Sequence, residues 1–227
     1  DKSVRDQNEV LDKVFGAGPR LIWTAGSTHA GEEALVVATF LTVQASVPEL
    51  KLILVPRHHE RTAEVEKVLR ENSVSYRLLA PPHQAAGAGE NSEPVDVLLV
   101  NTTGQLMDFY SVSDLVFVGK SLAGQHGGHN IIEPAIFAKP IIHGPNMENF
   151  RKVAETFQEK QAAWQVGGDA HLEGAVMGLC TDPAKRATLG RRARNVVDAC
   201  RGAMDRTLDQ LLPLMTADAG NRQQDVK

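Results

Sequence analysis

Leu115-Val116-Phe117-Val118-Gly119-Lys120-Ser121-Leu122-Ala123-Gly124-Gln125-His126-Gly127-Gly128-His129-Asn130 decides the fold. Its first four residues are apolar without alternation, which suits a strand buried on both faces and therefore a parallel sheet. Four glycines within ten residues follow, at 119, 124, 127 and 128. The chain then enters Ile131-Ile132-Glu133-Pro134, and helical periodicity runs over 130–138. A glycine-rich loop that opens a helix presents backbone N–H groups and a positive dipole end to a phosphate. Glu133 lies one helical turn beyond the glycines, so its carboxylate can reach a sugar hydroxyl pair beside that phosphate. The spacing is neither G-x-G-x-x-G nor G-x-x-x-x-G-K-[ST], which disfavours the usual dinucleotide fingerprint and a P-loop.

The same strand–helix alternation extends outward on both sides. Short apolar runs occupy 21–24, 52–55, 76–79, 95–100 and 140–143, with a weaker run at 163–166. Helical periodicity covers 32–44, 61–72, 105–110, 147–160, 174–180 and 183–203. Short connections between such elements predict right-handed βαβ units. The expected fold is α/β, a Rossmann-like doubly wound parallel sheet of about six strands. Residues 1–18 read as a linker helix ending at Gly16–Pro19, 82–94 as a mobile Ala/Gly/Pro loop, and 216–227 as a disordered tail.

Composition narrows the function classes. The chain has 227 residues, 42% hydrophobic and 23% charged, enough for one α/β domain with a sizeable core. Lys plus Arg is 24 and Asp plus Glu is 28, so the net charge is −4 and no overall basic excess points to nucleic acid. Cys180 and Cys200 have no metal-ligand spacing and read as free thiols in a reducing compartment. No apolar run approaches the roughly 18 residues that a membrane-spanning helix needs.

In an open parallel sheet, ligands bind beyond the carboxyl ends of the strands. Ser27-Thr28-His29-Ala30-Gly31-Glu32-Glu33 follows the first run and reads either as an anion-binding helix start or as a helix-capping sequence. Pro56-Arg57-His58-His59-Glu60-Arg61 follows the second. Arg57 can fork a phosphate and His58 can donate to an oxyanion, although a solvated helix start is also consistent. Adjacent His58 and His59 diverge, so a metal site there is disfavoured. Asn101-Thr102-Thr103-Gly104-Gln105-Leu106 offers both an N-cap and, through Gly104, close approach to a flat ring.

Taken in order, Ser27-Thr28-His29-x-Gly31-Glu32-Glu33, Pro56-Arg57-His58-x-Glu60-Arg61, Thr103-Gly104-Gln105-Leu106 and Gly127-Gly128-His129-Asn130-x-x-Glu133 resemble the 3-deoxy-D-manno-octulosonic acid (Kdo) transferases. Gly144-Pro145 and Asn149-Phe150 fit the same pattern. The resemblance implies the C-terminal donor-binding domain of a GT-B glycosyltransferase, here residues 19–215, which binds CMP-Kdo in the transfer of Kdo to a lipid A precursor during lipopolysaccharide biosynthesis. It implies binding roles for Arg57, His58, Thr103, Gly104, Lys120, Ser121, Gly127, Gly128, His129, Asn130 and Glu133. Among these, Gly128, His129 and Asn130 would hold the phosphate, Glu133 the ribose hydroxyls, and Lys120 and Ser121 the donor sugar or phosphate. Gln105 and Lys120 depart from the family's pattern, which more often has Glu and a small residue there.

The resemblance further implies no cofactor and no metal, in keeping with the lack of an Asp-x-Asp motif. The catalytic base, the acceptor-lipid surface and the membrane contact belong to the family's N-terminal domain, at the cytoplasmic face of a Gram-negative inner membrane. That domain's motifs are not in this sequence, whose first residue is Asp1. The chain is thus expected to be a fragment without catalytic residues, inactive alone, soluble and not bound to nucleic acid. Two alternatives stay open: another GT-B enzyme, either a UDP-sugar transferase or a sugar-nucleotide epimerase, and a non-catalytic α/β binding module.

Overall fold

The computed structural model describes residues 2–79, 93–102 and 104–200. The expectations for most of the 82–94 loop, for Thr103, for the end of the last helix and for the 216–227 tail lie outside the described residues. In chain order the elements are α1 (Lys2–Phe15), β1 (Leu21–Thr28), α2 (Glu32–Gln44), β2 (Leu50–Pro56), α3 (Thr62–Glu71), β3 (Tyr76–Leu79), β4 (Val97–Val100), α4 (Leu106–Val112), β5 (Leu115–Val118), α5 (Ile132–Ile136), β6 (Ile141–His143), α6 (Arg151–Glu159), β7 (Trp164–Gln165) and α7 (Leu172–Thr181). A further helix, α8, covers 183–200.

All strand pairs are parallel, and the sheet order is β3-β4-β2-β1-β5-β6-β7. From β1 the chain moves to β2, crosses to the edge strand β3, comes back between them as β4, and then passes to β5 on the other side of β1. The doubly wound Rossmann-like expectation therefore holds, with seven strands in place of about six. The extra strand is the weak run at 163–166, which forms two residues of edge strand against β6.

Period-two burial explains the unbroken apolar runs. Leu52 and Leu54 of β2 and Leu115 and Phe117 of β5 join one core with Phe40 of α2 and Leu179 of α7. The alternate residues Ile53 and Val55 pack with Leu11 and Phe15 of α1 and Phe109 of α4. Val116 and Val118 pack with Phe157 of α6 and Val196 of α8. Both faces of the sheet are thus covered, and no strand can alternate with polar residues. The N-terminal segment expected as a linker helix contributes three fully or nearly buried side chains, Leu11, Val14 and Phe15, to this packing. Among the described residues no helix is long and apolar enough to cross a membrane.

Candidate functional site

The order of the sheet reverses between β1 and β5, and the crevice beyond their carboxyl ends is where a doubly wound sheet takes a ligand. Register places Gly26 of β1 beside Val118 of β5, and Thr28 beside Pro56 of β2. The loops after β1, β2 and β5 therefore leave the sheet side by side. Three residues there adopt left-handed backbone angles without being glycine: Ser27 (φ 56°), at a bulge in β1, Lys120 (φ 62°) and Ala123 (φ 50°). Such strain persists only where the surroundings hold it, and bulges recur beside active sites.

Glu32 supplies that hold. Its fully buried carboxylate accepts the backbone N–H groups of His29 (2.9 Å), Lys120 (2.7 Å), Ser121 (2.9 Å) and Leu122 (3.0 Å). Burial pushes its pKa above the ordinary value, and the four donors oppose that shift. Gly119 makes the approach possible, because a Cβ there would stand 2.5 Å from the Ser27 carbonyl oxygen. The neighbouring Glu33 is also buried and takes the Arg61 guanidinium in a two-pronged pair at 2.9 and 3.3 Å. The stretch Gly31-Glu32-Glu33 does start a helix, but its glutamates brace the loops after β5 and β2.

On this floor stands a cluster of basic side chains. His29 and His129 approach end to end, with Nε2 atoms 3.0 Å apart and ring centroids 5.2 Å apart. His58 meets His29 edge-on at 5.3 Å. Burial first, and then the charges of His58, Lys120, Arg61 and Arg57, push His29 down to about 4. His129 is pushed down to about 4 by burial and then by His29, Arg57, Lys120 and His58. The groups that depress these imidazoles would attract an anion. Arg57 itself is exposed, with its backbone N–H bonded to the Thr28 carbonyl at 3.0 Å.

The glycine loop works differently from its sequence reading. The Gly127 N–H goes to Glu148 (2.6 Å) and the Gly128 N–H to the Lys120 carbonyl (2.8 Å), so neither is bare. The N–H groups of His129 and Asn130 have no acceptor among the described residues. Helix α5 spans only Ile132–Ile136, shorter than the 130–138 expected, because Asn130 caps it through Ile132 N–H at 3.1 Å and the chain turns at Phe137. A helix this short brings little dipole. Positive charge in the crevice comes mainly from side chains.

Ser121 lies inside the fold. Its side chain is fully buried, and its hydroxyl donates to the Val118 carbonyl (2.9 Å) and accepts from the Gly144 N–H (2.9 Å). It joins the end of β5 to the end of β6. Glu133 lies close enough to Arg57 to feel its charge. Burial raises its pKa, while Asn130, at 3.3 Å, and the charge of Arg57 pull it down. Glu133 in turn raises the buried Tyr110 phenol, after burial itself. Beside Arg57 a crevice of about 100 Å³ is lined by Ser27, Pro56, Thr102, Gly104 and Leu106. Thr102 donates to the Gln105 side-chain oxygen there. Among the described residues, no group of three His, Cys, Asp or Glu side chains is arranged to hold a metal ion.

His29 and Glu32 are the residues of this crevice that sequence reasoning passed over. His29 stood inside a quoted motif, and its position after β1, across the switch point from His129, was the available signal. Glu32 gave no such signal, since three of its four partners lie 88 to 90 residues away.

No protein-family model matches the chain. It is 36% identical over 197 residues to the 3-deoxy-D-manno-octulosonic acid transferase of Haemophilus influenzae, covering 86% of this chain and 44% of that protein. To the enzyme of the same name from Bordetella pertussis it is 32% identical over 199 residues, covering 86% and 45%. The chain therefore spans less than half the length of these relatives. The crystal structure of the C-terminal CMP-Kdo binding domain of WaaA from Acinetobacter baumannii matches with a TM-score of 0.74 at 25% identity, over 87% of this chain and 99% of that one. The fold is shared more distantly by the C-terminal domain of a group 1 glycosyltransferase from Francisella tularensis, with a TM-score of 0.58 at 10% identity, 87% of this chain and 90% of that one. By sequence over most of its length and by fold over nearly all of that domain, the chain belongs to the Kdo transferases, glycosyltransferases of GT-B architecture, as their C-terminal domain.

Proposed function

We propose that the chain holds CMP-Kdo for an enzyme that transfers Kdo to a lipid A precursor, and that the nucleotide phosphate settles among Arg57, Lys120 and His129. The observation that carries this reading is the convergence of Arg57, His58, Lys120, His29 and His129 at the β1–β5 switch point, with Glu133 close enough to Arg57 to feel its charge. Arg57 forks the phosphate, Lys120 acts as a point charge, and the free N–H groups of His129 and Asn130 add donors. Glu133 receives the ribose hydroxyls, and the crevice beside Thr102 and Gly104 flanks the cytidine. Gly127 and Gly128 shape the loop and do not themselves donate to the phosphate.

Transfer proceeds with inversion, by direct attack of the acceptor hydroxyl on the anomeric carbon. As CMP departs, its phosphate gains negative charge, and the fixed guanidinium and ammonium groups stabilise it. These side chains supply the charge a metal would otherwise supply. The base that takes the acceptor's proton, the acceptor-lipid surface and the contact with the cytoplasmic face of the inner membrane lie on parts of the enzyme outside this chain, so the chain alone is inactive.

Isothermal titration of the chain with CMP, UDP and GDP tests the donor assignment. CMP binding at least about tenfold tighter than UDP or GDP, about 1.4 kcal/mol, is the expected result. The affinity should be unchanged by EDTA and weakened in Arg57→Ala and Glu133→Ala. No binding of CMP, or equal binding by all three proteins, removes the assignment.

A further inference from the structure

His29 and His129 share one short contact between like atoms, Nε2 to Nε2 at 3.0 Å, with rings only 20° from parallel. Two N–H groups cannot point at each other across that distance. The contact is an N–H···N bond, so one ring lends its lone pair and the bonded pair carries at most one proton beyond the neutral state. Which ring donates is set by the tautomers.

The charged neighbours, taken element by element, are nearly all positive. The loop after β2 contributes Arg57 and His58, with the exposed Glu60 3.3 Å from His58 Nδ1, and the turn before α3 contributes Arg61, whose charge is balanced by Glu33 and Glu64. The loop after β5 contributes Lys120. Of the acidic groups, Glu32 at the start of α2 is committed to four backbone N–H groups, including that of His29. Glu133 on α5 is bonded to Asn130. Glu148 is bonded to His126 and to the Gly127 N–H. In the free protein burial, and then the surrounding cations, therefore keep the pair stripped of protons, with both imidazoles pushed down to about 4.

We propose that the His29–His129 pair is a proton-loading contact: when the nucleotide's phosphate enters the crevice, the pair takes up one proton from solvent and meets the anion as an imidazolium. The inference rests on the phosphate assignment above and adds a proton to it. A phosphate within hydrogen-bonding reach reverses the local field and raises an imidazole by roughly one to three pH units. The bound state then holds the proton more tightly than the free state. Affinity rises as pH falls through the bound-state value, by up to about tenfold per unit, and levels off near the free-state value. A phosphate monoester carries about 1.5 to 2 negative charges near neutral pH and a phosphodiester one, so the CMP product loads the pair more strongly than the sugar-bearing donor.

Proton NMR of the imidazole resonances, titrated between about pH 8 and pH 4, reads this directly. His29→Gln and His129→Gln assign the two signals, and the ordinary imidazole value of about 6.5 is the reference. The titration is run free, with saturating CMP, and with sulfate, a dianion that does not itself titrate in this range. Free, the pair should titrate at least about one unit below that value. With either anion one member should rise by about one to three units. An unmoved pair in the presence of CMP that demonstrably perturbs neighbouring resonances overturns the proton loading but leaves the phosphate site standing. A free pair that titrates at the ordinary imidazole value also overturns it. If CMP perturbs no resonance, the phosphate assignment and this inference fail together.

Discussion

The loop after β5 and the loop after β2 end in the same crevice, but different forces hold them. Residues 119–122 are an internally satisfied floor. Three of their backbone N–H groups converge on one buried carboxylate, and the Ser121 hydroxyl pins them to β6. The loop after β2 is a rim. Arg57, His58, His59 and Glu60 are exposed, and the loop is tied down only through its backbone and through Arg61. In the floor, the backbone N–H groups and the Ser121 hydroxyl are consumed by the fold, and the Lys120 ammonium is what it offers a ligand. In the rim, side-chain heads remain available to a ligand. Substitutions should therefore separate cleanly, those in the floor acting on stability and those in the rim on affinity.

The largest effect is expected from Glu32→Ala. It leaves four backbone N–H groups buried without an acceptor, each costing about 1 kcal/mol or more. The domain should lose at least about 4 kcal/mol, a large share of the 5–15 kcal/mol typical of a folded domain. The urea midpoint of the chain measures this. A loss under about 1 kcal/mol would mean that the loop holds its shape without Glu32, and the contrast between floor and rim would collapse.

Gly128→Ala should come next. Gly128 has φ +67°, a conformation that costs a residue with a Cβ about 1–3 kcal/mol. The new methyl would also lie 2.9 Å from Met147 Cε and 3.1 Å from its Cα. The side chain can swing away but the backbone cannot, so the total is expected near 2–4 kcal/mol. Thermal unfolding would register it. A neutral result would show that the loops after β5 and β6 adjust freely and are not one braced unit.

These two positions show where the sequence was legible. The strand runs, the loops after them and the 32–44 helix could be read because apolar period and glycine punctuation are local signals. Helix α2 falls on the residues expected. Glu32 was read as a helix-start acid because that role is local, and its bonding to a loop some ninety residues away leaves no trace in spacing. Ser121 was assigned to the ligand by resemblance. Its side chain faces inward because left-handed Lys120 turns the chain just before it. Arg57 and Lys120 were legible as candidates, since each stands in a loop that leaves a strand. Their meeting with His29 depends on sheet order, which periodicity does not encode.

On the rim, Arg57→Ala should lower CMP affinity by roughly tenfold to a hundredfold, the range for losing one two-pronged charged contact to phosphate. Its urea midpoint should stay close to wild type, because the side chain is exposed and only its backbone N–H supports the fold. A fall in stability matching the fall in affinity would place Arg57 in the floor.

The smallest expected effect separates two carboxylates, Glu32 buried and Glu133 half-buried. Glu32 and Glu133 are both raised by burial, but four backbone donors surround Glu32, whereas Glu133 has one long bond to Asn130 and the charge of Arg57. A raised carboxyl pKa means that Glu133 gains its proton as pH falls through a value above the usual glutamate range, and it then loses strength as an acceptor for ribose hydroxyls. Its contribution to CMP affinity is therefore full at neutral pH and fades toward acid, opposite in sign to the proton-loaded histidines. Glu133→Gln removes the charge at every pH and should weaken CMP by roughly threefold to tenfold at pH 7, close to the 1 kcal/mol typical of one hydrogen bond. Deoxycytidine monophosphate, which lacks the 2′-hydroxyl, should respond less to the same substitution. If calorimetry finds equal losses for both nucleotides, Glu133 acts on the phosphate end through Arg57 and not on the ribose, and the division of the rim into a cationic phosphate side and an acidic sugar side has to be redrawn.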